Sequence, residues 1–262
     1  HLYNTLGLFP EEFERVDFQK EYFEDETKLD EFMSKCDVIV HLAAINRHES
    51  EQVIYETNVR LAQNLVESLK RTKATPHVLI SSSTQEERGN LYGQSKREGR
   101  EAIAQWANEY DGKVTGLIIP NVFGPFGKPY YNSFIATFCY QLTHGETPNI
   151  ANDGEVNLIY VQELVTRIIE EIRSEDSQPQ LLVEPTATKK VSEVLTLLND
   201  YKTKYFEGGE IPCLKDQFEH NLFNTYRSYM DYKNHFPVKF TQHTDPRGAF
   251  VEVIRLGIGG QC

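Results

Sequence analysis

Tyr92 and Lys96 stand four residues apart, just after a short apolar run that ends in hydroxyls. Val78-Leu79-Ile80 has the length and β-branched content of a buried strand, and it stops on Ser81, Ser82 and Ser83. A polar turn with one glycine follows. On a helix, an i, i+4 spacing places both side chains on one face, one turn apart. The chemistry open to such a group is proton transfer. A free tyrosine titrates near 10, too high to exchange protons readily at neutral pH. An ammonium about 4 Å away favours the phenolate by up to ~4 kcal/mol at an effective dielectric near 20. At ~1.4 kcal/mol per pKa unit, that lowers the phenol by about one to three units. A serine at the strand's carboxyl end facing such a pair completes a proton-transfer constellation. The motif is weak on spacing alone. A second copy, Tyr229 and Lys233, has no serine-ended strand before it and is expected at the surface. The plain alternative for the first copy is a tyrosine capped by a lysine on an exposed helix.

Strands and helices must alternate to position this pair. His1–Leu6 reads like the inside of a helix ending at Gly7, and Phe13–Phe18 alternates like a strand. Glu26–Lys35 is expected to be helical. Asp37–Ala44 is a continuous apolar run of the kind buried on both faces of a parallel sheet. Thr57–Leu69 carries apolar residues at helical spacing, and a helix is expected from about Gly93 to Tyr110. Val114–Ile119 is another buried run, ending at Pro120-Asn-Val-Phe-Gly-Pro125. The alternation predicts an α/β fold, a doubly wound parallel sheet with its ligand crevice at the carboxyl ends of the strands. Beyond Pro125 the pattern loosens. It predicts helices over Tyr130–Leu142, Leu164–Arg173 and Val191–Tyr201, with strands over Asn157–Val161 and Gln180–Val183. From Tyr205 the chain reads as aromatic-rich loop, closing on two antiparallel strands, Pro237–Phe240 and Ala249–Arg255. A boundary near Phe236 divides residues 1–236 from 237–262, the latter too short for a core of its own.

Composition excludes several classes. The net charge is −12, from 27 basic against 39 acidic residues, with no Lys/Arg block, so neither nucleic acid nor a membrane surface is an expected partner. No run reaches the ~20 apolar residues of a membrane span. The four cysteines (Cys36, Cys139, Cys213 and Cys262) are scattered without CxxC or a nearby His, as expected of free thiols in the cytoplasm. No metal site is expected.

The chain resembles the extended short-chain dehydrogenase/reductase family, the nucleotide-sugar epimerases, dehydratases and reductases. The resemblance is carried by VIVHLAA (Val38–Ala44), TNV (Thr57–Val59), ISSST (Ile80–Thr84), YGQSK (Tyr92–Lys96) and PNVFGP (Pro120–Pro125), in family order over most of residues 1–175. It implies a Rossmann-like domain with a smaller substrate-binding lobe, and a catalytic set of Ser83, Tyr92 and Lys96. His41, Leu42, Ala43, Ala44 and Asn58 would line a nicotinamide cofactor, together with Tyr92, Lys96, Pro120, Asn121 and Phe123.

AAINR (Ala43–Arg47), KPYYNSFIATFCY (Lys128–Tyr140) and HTDPRGAFVEVIR (His243–Arg255) further resemble the CapF-type enzymes of capsular polysaccharide synthesis, a reductase domain followed by a metal-binding cupin. That likeness implies NADPH-dependent reduction of a UDP-linked 4-keto-6-deoxy-N-acetylhexosamine toward UDP-N-acetyl-L-fucosamine. Asn46, Arg47, Asn121, Lys128 and Asn132 would be the substrate contacts, and residues 237–262 the start of the cupin. The chain departs from the pattern in having no glycine-rich phosphate loop. Gly257-Ile-Gly-Gly260 has no helix after it, both ends look cut, and no His cluster is present for a metal. Ile118 stands where the family commonly has Arg. Asp17 suits an adenosine ribose and so NAD, whereas Gln19 and Lys20 suit the 2′-phosphate of NADP; the resemblance favours NADP. A homodimer is expected through an intersubunit bundle of Asn58–Lys70 and Gly93–Tyr110, using Ala102, Ile103 and Trp106. Alternative readings are an epimerase or dehydratase of the same fold, and a non-catalytic dinucleotide-binding regulator.

Overall fold

A computed structural model describes residues 1–256. The chain opens with helix α1 (Leu2–Leu6), α2 (Glu26–Met33) and strand β1 (Val38–His41). It continues through α3 (Glu51–Thr72), β2 (His77–Ser83), α4 (Leu91–Tyr110) and β3 (Lys113–Ile119). Next come β4 (Asn121–Phe123), α5 (Phe134–Thr143), β5 (Glu155–Tyr160), α6 (Val161–Arg173) and β6 (Gln178–Leu182). The remainder is β7 (Ala187–Lys190), α7 (Val191–Tyr201), β8 (Glu210–Ile211), α8 (Gln217–Arg227) and α9 (Tyr232–His235), followed by the short strands β9 (Gln242–Asp245), β10 (Gly248–Val251) and β11 (Arg255–Leu256). Two compact units result: residues 1–120 with 162–184, and residues 121–161 with 185–256 among those described.

The first unit holds a four-stranded sheet in the order β1-β2-β3-β6, with every neighbouring pair parallel. Parallel neighbours require crossovers, and α3, α4 and α6 supply them. The long helices start where their sequences provide caps. Ser50 Oγ accepts from the Val53 amide to open α3, and Asn90 Oδ1 accepts from Gly93 to open α4. Leu65 and Leu69 of α3 close on Val78 and Ile80 of β2 and on Ile103 and Trp106 of α4, forming one core. Ile103 and Trp106 are thus buried inside this unit, which corrects their expected place on an intersubunit face. Phe13–Phe18 forms no strand, because among the described residues it has no ladder partner. Phe18 instead packs edge-on against Tyr22, Phe23 and Phe32.

In the second unit β4 runs parallel to β5, and β5 antiparallel to β7. Its core joins Phe123, Ile135, Phe138 and Leu142 to Leu198, Leu222 and Tyr226. Helix α8 lies in the stretch expected to be loop; Asp216 caps it, and Phe218, Leu222 and Tyr226 repeat at i+4 into the core. Tyr229, expected at the surface, is buried and donates to the Gly127 carbonyl at 2.7 Å, which gives it a structural role. Pro237–Phe240 is not a strand, since proline brings no amide to a ladder. The antiparallel pair is instead β9 with β10. Cys36, Cys139 and Cys213 are free. Cys262 and the Gly257–Gly260 run lie outside the described residues.

Candidate active site

Three parallel strands present their carboxyl ends together in the first unit, and the expected residues of that unit gather there. His41 ends β1, Ser83 ends β2, and Pro120 follows β3. Tyr92 and Lys96 occupy the first turns of α4, which packs against the turn that follows Ser83. The approach is close because Gly93 has no side chain: a Cβ there would lie 2.0 Å from the Gln85 carbonyl oxygen. Asn90 adds a second brace, donating to Gln85 Oε1 at 3.2 Å. Ser83 Oγ accepts from the Gln85 amide at 3.2 Å, so the serine also caps its own turn.

Lys96 is 6% exposed, and its Nζ donates to Ser81 Oγ at 3.2 Å. Ser81 in turn donates to the His41 carbonyl at 3.3 Å. Burial pushes the Lys96 ammonium down to about 8, partly opposed by the carboxylate of Glu86. Burial, reinforced by the charge of Lys96, pushes His41 down to about 3 and keeps that imidazole neutral. A buried amine with a lowered pKa beside a half-buried tyrosine on one helix face is an arrangement suited to passing a proton near neutral pH.

Asn58 organises the segment after β1. Its amide accepts from Ile45 N–H at 2.8 Å, donates back to the Ile45 carbonyl at 2.9 Å, and donates to Ser95 Oγ at 3.1 Å. Ser95 passes its own proton to the Tyr92 carbonyl at 2.7 Å. Leu42, Ala44 and Arg47 are exposed on this segment, and Ala43 is half-buried. Asn46 Oδ1 is buried with no hydrogen-bond partner among the described residues.

Beside β1 opens a cavity of about 1120 Å³, lined by Asp17, Phe18, Phe23, His41, Leu42 and Ala43 among others. Its volume and aromatic walls suit the adenosine half of a nicotinamide dinucleotide, with Asp17 the carboxylate placed for a ribose among the four acidic residues that line it (Glu12, Glu14, Asp17 and Asp37). Asp17 already accepts from the Tyr3 phenol at 2.7 Å, and exposed Lys20 pairs with Glu21 at 3.8 Å. Asn121, Phe123, Lys128 and Asn132 belong to the second unit. There Phe123 is core, Asn121 donates to the Asn157 carbonyl at 3.4 Å, Lys128 lies 5.4 Å over the Tyr131 ring, and Asn132 is exposed. No three His, Cys, Asp or Glu side chains among the described residues are grouped to hold a metal ion.

Sequence reasoning missed Ser81, Ser95, Glu86 and Arg100. The signal for Ser81 was present in the three-serine run, since alternation along a strand gives Ser81 and Ser83 the same face. Glu86 and Arg100 carried no signal, because neither their pairing nor their burial follows from spacing.

Parallel strands, helical crossovers and a strand-end Ser/Tyr/Lys cluster define a class, and residues 9–181 match the NAD dependent epimerase/dehydratase family, to which the chain belongs. Within it, the chain is 29% identical over 235 residues to a UDP-2-acetamido-2,6-beta-L-arabino-hexul-4-ose reductase of Pseudomonas aeruginosa, covering 89% of this chain and 63% of the relative. It superposes on the capsular polysaccharide assembling protein CapF from Staphylococcus aureus with a TM-score of 0.77 and 33% identity, over 90% of this chain and 64% of that one. The chain thus spans a little under two thirds of each. RMD from Pseudomonas aeruginosa, solved with NADPH, shares the fold at 17% identity and a TM-score of 0.64, covering 78% of this chain and 79% of its own. The family and the parallel α/β fold expected from the motifs are those found. No helix among the described residues is long and apolar enough to cross a membrane.

Proposed function

We propose that the chain is the reductase part of an NAD(P)H-dependent enzyme acting on a nucleotide sugar. The substrate proposed is a UDP-linked 4-keto-6-deoxy-N-acetylhexosamine, on the route to UDP-N-acetyl-L-fucosamine. The observation that carries the proposal is Lys96: a buried ammonium anchored on Ser81, one helical turn beyond Tyr92 and beside the serine-ended strand. The nicotinamide, when bound, supplies the hydride. Ser83 orients the keto oxygen, the Tyr92 phenol gives that oxygen its proton, and the charge of Lys96 stabilises the phenolate left behind. His41–Ala44 and Asn58 shape the cofactor's bed, and Asn46 and Arg47 of the first unit are substrate contacts; Asn121, Lys128 and Asn132 are the substrate contacts proposed for the second unit. The activity of the Pseudomonas aeruginosa relative, a reductase, supports the reductase reading. So does Glu86, the one buried carboxylate in the turn after the serines. It is engaged by Arg100, so the buried acid of that turn is not free to act as a dehydratase's acid.

NADPH is proposed over NADH on the resemblance, and residues 237–262 as the beginning of a cupin-like domain. A cytoplasmic homodimer completes the proposal, and a monomeric mass in solution would remove the dimer. The decisive experiment is Tyr92→Phe assayed with NADPH and the UDP-4-keto sugar. Turnover should fall at least about a hundredfold, the lower end of what a positioned proton donor contributes, while cofactor binding persists. Undiminished turnover would end the proposal. Cofactor binding by the wild type without any turnover would favour the regulator instead.

A further inference from the structure

The turn between Ser83 and Tyr92 has a buried charge at its centre. Glu86 is 6% exposed, as is its partner Arg100. The Glu86 carboxylate accepts from Arg100 Nε at 2.9 Å and Nη2 at 2.8 Å, and also from Ser82 Oγ. Arg100 Nη1 continues to the Pro179 carbonyl on β6 at 3.1 Å. Arg97 Nη2 donates to the Glu86 carbonyl at 2.6 Å. One side chain thus ties the end of β2, the turn after it, helix α4 and, through Arg100, strand β6. The fold makes room for the clamp: a Cβ on Gly116 of β3 would lie 2.6 Å from Arg100 Cδ and 2.1 Å from the Pro179 carbonyl oxygen.

We propose that Glu86 is a positioning residue, which through Ser82 and Arg100 sets where Ser83 sits against Tyr92 and Lys96. The inference rests on the reading of those three as the reacting set. A bidentate, desolvated pair defines geometry far better than an exposed one, because the planar guanidinium accepts only one orientation of its partner. Glu86 also supplies the charge that opposes the loss of the Lys96 proton on burial. The other ionisable groups around Lys96 are His41 of β1, which stays neutral, and Tyr92 and Arg100, one turn away in either direction on α4. Glu86 therefore opposes in part the loss of the Lys96 proton, even while paired with Arg100 at 2.8 Å and lying 3.8 Å from Arg97.

The test uses the full chain with Glu86→Gln, which keeps the volume and removes the charge, and Glu86→Asp, which keeps the charge. Lys96 is titrated by ¹³C NMR at Cε without substrate, its signal assigned by loss in Lys96→Arg. Glu86→Gln should move the Lys96 midpoint down by about half a unit or more, as removal of a nearby opposite charge does. It should lower kcat about tenfold or more with KM within about threefold, the pattern of an interaction that matters in the transition state. Glu86→Asp should regain the midpoint, with kcat between the other two. A folded Glu86→Gln that titrates and turns over like the wild type overturns the proposal. So does Glu86→Asp behaving no better than Glu86→Gln. The titration needs no turnover, so a wild type inactive on the keto sugar refutes the reductase reading while the Lys96 shift still decides the coupling to Glu86.

Discussion

Replacing Asn58 with alanine tests whether the segment after β1 is held in place or merely lies there. The side chain is 5% exposed and makes three hydrogen bonds, two to Ile45 at 2.8 and 2.9 Å and one to Ser95 at 3.1 Å. A net ~1 kcal/mol per intramolecular bond gives a loss of about 3 kcal/mol. Ile45 is only half-buried, so water recovers part of the loss at its amide and carbonyl, and the expected range is about 2–3 kcal/mol. That is a large fraction of the 5–15 kcal/mol typical of a folded domain. Urea unfolding should show a lower midpoint with an unchanged slope, and the Ile45 amide should exchange faster with solvent. Asn64→Ala serves as the control, because Asn64 donates one bond, to the Phe23 carbonyl at 3.0 Å, and should cost only about 1 kcal/mol. If Asn58→Ala cost less than about 0.5 kcal/mol, within the range of an unimportant surface change, the bridge from β1 through Asn58 and Ser95 to Tyr92 would not be holding the site.

Gly93→Ala forces a methyl to within 2.0 Å of a backbone oxygen, so helix and turn must part; a loss of about 2–3 kcal/mol is expected, visible as a lowered thermal midpoint together with lost turnover, whereas a wild-type melt would contradict the close approach. Acid should destabilise the protein through His41. Its folded pKa of about 3 lies below its ordinary 6.5, so the stability it contributes is complete above pH 6.5 and is lost as pH falls toward 3. At pH 5 the share lost is about 2 kcal/mol, from ~1.4 kcal/mol per unit. Denaturant midpoints at pH 7 and 5 should differ more in the wild type than in His41→Asn, and equal differences would exclude His41 as the cause.

The motifs told a good deal before any coordinate did. Apolar runs such as Val38–His41 and Val114–Ile119 suit strands of a parallel sheet, the second buried throughout and the first at alternate residues, and the helical spacing between them requires crossovers, so the parallel sheet was legible. The serine-ended strand and Tyr92/Lys96 were legible for the same reason: period and spacing are local properties of the chain. The helix α8 was readable from its i+4 repeat but hidden among aromatics and loop residues. Phe13–Phe18 shows the converse, an alternating pattern that becomes a strand only when a neighbour accepts its backbone bonds. What only the tertiary structure decided concerns pairs distant along the chain. Glu86 meets Arg100, Lys96 meets Ser81, Asn58 meets Ile45 and Ser95, and Ile103 and Trp106 turn inward. Burial and partner choice set charge states and strength, and both depend on which segments the fold brings together. The sequence by itself picked out Ser83, Tyr92 and Lys96 as the proposed reacting set, together with the strand end and the helix that carry them. The packing decided how tightly they are held and how far the charge of Lys96 is displaced.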